Sequence, residues 1–150
     1  MANKKYYFSE RPEDILVIAH PHIRDRSVTL RRIVSKVSIP RYSVTPGTIG
    51  GWIESEKNLS PCGEAWVAEN SMVFDDAVCM VNALTTGNAA LYGYAVHRGS
   101  SVLGGTAVQC GFSQTAGESK IYEGKIVKGQ IYETLNGVPI ERPPRARPEY

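Results

Sequence analysis

The chain has 150 residues, 42% hydrophobic and 21% charged, with a formal net charge of +2. That length supports one domain with a real core and excludes two domains of ordinary size. No stretch approaches the about 18 uninterrupted apolar residues of a membrane span, and the opening MANKKYYFSERPED lacks the apolar run of a signal peptide, so a cytoplasmic location is expected.

Residues 1–60 hold alternating or apolar runs, YYF, DILVIAH and RRIVSKVSI, broken by Pro12, Pro21, Pro40 and Pro46. They read as short strands joined by turns. His20 and His22 form an H-x-H pair, which on a strand puts both rings on one face. Without a nearby cysteine or carboxylate, a surface strand is preferred to a metal site. The basic run Arg24, Arg26, Arg31, Arg32, Lys36 and Arg41 has no aromatic interleaving, so a solvated strand is expected and nucleic acid is not. Cys62, Cys79 and Cys110 are too irregularly spaced for a disulfide framework or a CxxC knuckle and read as free thiols.

Residues 61–122 carry a period of six. From Gly63 the chain reads GEAWVA, ENSMVF, DDAVCM, VNALTT, GNAALY, GYAVHR, GSSVLG, GTAVQC, GFSQTA and GESKIY, with Ala or Ser third in all ten units and Gly first in seven. Six is neither a helical nor an alternating-strand period; it fits two-residue strands separated by tight corners. Glycine at the corner takes positive φ at little cost, and a small third residue lets the bend close.

With the lead-in GGWIESEKNLS, this pattern resembles hexapeptide-repeat β-solenoids common in phage and prophage sequences and the bacterial YdcK-like solenoids. The resemblance implies an all-β fold, a left-handed parallel β-helix with three units per turn and residues 1–60 as its N-terminal β cap, in a bacterial host cell. In that family an inward aliphatic residue is followed four places later by an inward small one. Putting the fifth place inward makes the later small residue the Ala/Ser position; putting the fourth inward would bury Glu64, Asp76 and Glu118. The fifth place is therefore read as inward, and Cys79, His97 and Thr115 should stack in one interior column. His97 is read as a buried neutral imidazole, with no catalytic residue, metal or cofactor assigned.

The fourth place then faces out, and eight of its ten residues are apolar. Such a surface should be covered by identical subunits, by the N-terminal segment or by a foreign protein. Trp66, Met72, Val78, Leu84, Ala90, Val96, Val102 and Val108, with sixth-place Phe74 and Tyr92, are the candidate interface, and a dimer or trimer is the expected cover. After Glu123 the spacing changes to five (IYEGK, IVKGQ, IYETL), so 123–135 reads as closing strands and the Pro- and Arg-rich 136–150 as a flexible tail. The function expected is a non-enzymatic binding or assembly protein, phage- or mobile-element-borne, that contacts a host protein such as a defence component. The alternative that the resemblance implies is a trimeric acyl-CoA-dependent acyltransferase with a histidine base.

Overall fold

The structure, a computed structural model, describes residues 5–126, 131–135 and 138–141. Four strands open it: β1 (Tyr6–Phe8), β2 (Ile15–Ala19), β3 (Ser27–Ser35) and β4 (Ile49–Ile53). The six-residue units follow, each giving a short strand at its fourth and fifth places: β5 (Trp66–Val67), β6 (Met72–Val73), β7 (Val78–Cys79), β8 (Leu84–Thr85), β9 (Ala90–Leu91), β10 (Val96–His97), β11 (Val102–Leu103), β12 (Val108–Gln109), β13 (Gln114–Gly117) and β14 (Lys120–Ile121). β15 (Lys125–Ile126), β16 (Ile131–Leu135) and β17 (Val138–Glu141) close the chain. Among the described residues no helix is long and apolar enough to cross a membrane.

Every third unit stacks in parallel register, which builds the three-sided β-solenoid that the repeat predicts. One side runs β4-β6-β9-β12-β15, the second β7-β10-β13-β16 and the third β5-β8-β11-β14. Residues in equal places lie directly above one another, as in Met72↔Ala90↔Val108 and Val78↔Val96↔Gln114. The expected column Cys79, His97, Thr115 is present in this register.

The inward assignment also holds. All ten third-place residues, Ala65 to Ser119, have no exposed surface, and neither do the fifth-place residues from Val67 to Thr115. All ten first-place residues have positive φ, including the non-glycines Glu69, Asp75 and Val81. The corner therefore requires the left-handed conformation whatever residue fills it. At Gly105 a side chain is excluded outright, because a Cβ would lie 2.1 Å from the Tyr122 carbonyl oxygen.

Both ends of the coil reach beyond the boundaries that the period suggests. Trp52↔Met72 and Ile53↔Val73 pair in parallel, and Leu59 bridges to Cys79, so the first turn begins in the lead-in near Gly51 and not at residue 61. Two extra residues in the loop Ser60–Gly63 break the six-residue count there and conceal that turn. At the other end β15 and β16 still stack on β12 and β13, one residue short of the regular spacing. β17 then pairs antiparallel with β16, so a strand occupies Val138–Glu141 in the stretch read as a tail; 136–137 and 142–150 lie outside the described residues.

The N-terminal segment does two jobs. Tyr6, Ile33, Ile39 and Val44 join the coil interior in one cluster that includes Trp66 and Val67, which caps the open mouth. The second half of β3 pairs with β4, with a register irregularity between Arg32 and Val34. Its first half pairs with β2 and bends over the outer surface of the first side. There Val28 and Leu30 are fully buried against Phe74, Tyr92 and Cys110, with Met72, Ala90 and Val108 packed beside them. At about 1.5–3 kcal/mol per buried large side chain, this hairpin, here called the strap, is held chiefly by apolar contact.

Candidate functional site

The strap divides the predicted interface. Trp66, Phe74 and Tyr92 retain 1%, 0% and 3% of their surface, so they are structural residues and not a docking face. The cap covers Trp66 and the strap covers the other two. Met72, Ala90 and Val108 are half-buried under the strap. The homo-oligomer invoked to shield this side is therefore unnecessary there, because the chain shields it itself. Val78 and Val96 on the second side, and Leu84 and Val102 on the third, are half-buried at the outer surface, Leu84 partly against the cap cluster.

The turn between β2 and β3 is pinned to the coil by a polar cluster that sequence reasoning placed elsewhere. His20 is 6% exposed, not on an open strand face. Its Nδ1 accepts the backbone N–H of His22 and of Ile23, both at 3.1 Å. That fixes the proton on Nε2, which donates to Asp75 Oδ2 at 2.7 Å. Asp75 Oδ2 also accepts the Gly93 N–H at 3.1 Å, while the Arg26 guanidinium stands 3.3 Å from Oδ1. The ring of His20 meets Phe74 and Tyr92 edge-on, and those two stack at 4.8 Å. His22 Nε2 lies 2.8 Å from the Tyr92 hydroxyl. Both rings of the H-x-H pair thus serve to seat the strap, and the carboxylate partner of His20 comes from 55 residues further on. Asp75 was legible only as a non-glycine at a corner place.

Beside this cluster lies an open cleft of about 430 Å³, whose lining includes Ile23, Arg26, Glu54, Lys57, Asp75 and Tyr94. Its charges are largely engaged internally: Glu54 Oε1 accepts the Asp75 N–H at 2.8 Å, and Lys57 pairs with Asp76. Tyr94 is half exposed and stacks on Phe112 at 4.8 Å, at the corner next to Val78 and Val96. Of the basic run, Arg32 caps the Trp52 ring at 4.4 Å and donates to the Gly50 carbonyl at 2.9 Å, and Arg41 faces Glu64 at 3.5 Å. Arg26, Arg32 and Arg41 are thus engaged in separate local contacts.

His97 is sealed inside the coil. Its Nδ1 lies 3.0 Å from Thr85 Oγ1, a residue of the third side, rather than bonding to the column neighbours Cys79 and Thr115. Nε2 has no hydrogen-bond partner. Burial pushes the imidazole pKa from 6.5 down to about 3, against an opposing contribution from the Ser101 backbone. Burial likewise pushes the Cys79 thiol up to about 11. Thr115 bonds instead to Gln109 Oε1 at 2.6 Å, and Gln109 Nε2 donates to the Val96 carbonyl. Among the described residues no group of three or more His, Cys, Asp or Glu is arranged to hold a metal.

A comparison with protein-family models finds none that matches the chain, and a comparison with curated proteins finds no match.

Proposed function

We propose that the chain is a non-enzymatic binding protein that works by protein–protein contact through a side of the coil left open by the strap. The observation that carries this reading is the second side, where Val78 and Val96 pair in register and the half-exposed Tyr94 stacks on the half-buried Phe112. Aromatic residues that are rigid and half exposed supply contact area at low cost in side-chain entropy. The resemblance to phage and prophage repeat proteins favours a host protein, such as a defence component, as the partner.

The acyltransferase alternative needs a histidine that reaches substrate. His97 is fully buried, His20 uses Nδ1 on its own turn and Nε2 on Asp75, and the exposed His22 has Nε2 against the Tyr92 hydroxyl, so no imidazole stands in a site built to receive substrate. The test is capture of host proteins on immobilised wild-type chain and on Val96→Asp and Tyr94→Ala variants. A specific partner retained by the wild type and lost by both variants supports the reading. Acetyl transfer from acetyl-CoA that disappears in His97→Ala overturns it.

A further inference from the structure

The edge of the strap carries an interaction surface that the repeat does not announce. β2 pairs with β3, and among the described residues its other edge meets no strand. The strand reads ILVIA, with no proline, charge or bulge, and so lacks the devices that keep an edge from pairing. Ile15, Leu16 and Val17 are 42%, 37% and 61% exposed. Tyr7 of β1, which pairs with β3 as β2 does, and Ile23 at the strap turn are exposed as well.

We propose that this edge pairs antiparallel with the same edge of a second copy of the chain, about a two-fold axis at Val17. The inference rests on the reading of the chain as a binding protein and names one partner for it. Two features favour a second copy over a foreign strand. ILVIA is aliphatic read in either direction, so the two-fold pair sets Ile15 opposite Ala19, Leu16 opposite Ile18 and Val17 opposite Val17, with no polar group buried. The flanking charges are also complementary under that operation: Glu10 precedes the strand and Arg24 follows it, equidistant in sequence from Val17, and both are exposed. An antiparallel pair brings the acidic start of one edge to the basic end of the other, whereas a parallel pair sets like against like. Leu16 pairs with Leu30 on the inner face of the strap, so a neighbouring strand would also close the open flank of the apolar cluster beneath. One five-residue edge buries less than the about 1,200 Å² of a permanent interface, so the association is concentration-dependent.

The experiment is sedimentation of the full chain over a concentration series up to several hundred micromolar, with Val17→Lys beside the wild type and circular dichroism as the fold control. The wild type is expected to move toward twice the 16.5 kDa monomer mass, and Val17→Lys to remain monomeric while folded. In a Cys62→Ser background, Val17→Cys should cross-link to itself with a short reagent. Ile15→Cys should not, because its own counterpart lies about 13 Å along the edge. A wild type that stays monomeric overturns the proposal, as does a dimer that survives Val17→Lys or an Ile15→Cys pair that cross-links as readily. Host-protein capture by Val17→Lys at the wild-type level separates the two readings, since it leaves binding through the second side intact even if the dimer fails.

Discussion

His20 Nε2 donates to the Asp75 carboxylate at 2.7 Å, joining the turn of the strap to a corner of the coil across 55 residues of sequence. The pair is buried, oriented by two backbone N–H groups on the other ring nitrogen and backed by Arg26 and Gly93 on the carboxylate. It fixes where the hairpin ends on the coil, while Val28 and Leu30 supply the apolar hold along its length.

Breaking that pair should loosen the strap without unwinding the coil. His20→Ala leaves a buried carboxylate short of a donor, at a cost of about 1–3 kcal/mol. Cys110 is fully buried beneath the strap and Cys62 is exposed, so the wild type should show one fast-reacting thiol. His20→Ala should show two, with the circular dichroism of the coil retained. Asp75→Asn should act in the same direction but more mildly, since Asn tolerates the left-handed corner at φ 57° and keeps an acceptor. A Cys110 that stays as slow as in the wild type would mean that apolar contact alone seats the strap.

The pH dependence of stability follows from His97. Its folded pKa, about 3, lies below the 6.5 of the unfolded chain, so between those values the unfolded state binds a proton that the folded state refuses. Stability from this group is therefore full above pH 6.5, falls by up to about 1.4 kcal/mol per unit as pH drops through the window, and levels off below 3. His97→Val removes that dependence and also the unpartnered Nε2. Urea midpoints should fall less between about pH 7 and about pH 4 in the variant than in the wild type. Equal losses in both proteins would show that His97 is not protonated on unfolding in this window.

The coil was legible because its rule is local and repeated: a small residue third, a core residue fifth, and a corner that needs positive φ. That rule placed His97 inward even though its side chain is polar, since the places around it decided the direction. The N-terminal segment was one of three covers that the apolar face allowed, but the contacts that seat the strap were not legible. His20 and Asp75 share no period, and nothing in AHPHI says which carboxylate it will meet. Phe74 and Tyr92 do point out of the coil, as the spacing requires, but outward is not the same as exposed once another part of the chain lies on top. The coil ends were hidden by changes of one or two residues, which defeat a search for a fixed period yet leave strand stacking intact.

Ala95 is a third-place residue with no exposed surface. Ala95→Leu adds three carbons inside a bend that the neighbouring units also fill with Ala or Ser, and should cost about 1–3 kcal/mol through overpacking. The expected result is a melting temperature several degrees below that of the wild type. A variant that melts with the wild type would mean that the corner has room the packing does not show.

Val81 is the corner residue least suited to its place. Its φ is 64°, and a β-branched side chain in the left-handed region is among the less favourable combinations for an L-residue. It stacks in the same column as Gly63, Gly99 and Gly117, all at positive φ without a side chain. The isopropyl group is 44% exposed and so contributes little burial. Val81→Gly removes the about 1–2 kcal/mol of left-handed strain and loses about 0.5–1 kcal/mol to added freedom in the unfolded chain. The net should be a gain of up to about 1.5 kcal/mol, with Val81→Asn also stabilising because Asn tolerates this conformation. Gly105→Ala, at φ 58°, should do the reverse and destabilise strongly, since its Cβ has no space below the Tyr122 carbonyl. Urea midpoints of the three variants at fixed pH decide the matter: if Val81→Gly falls below the wild type, the corner is not under strain at that residue, and the isopropyl group contributes more by contact than its exposure suggests.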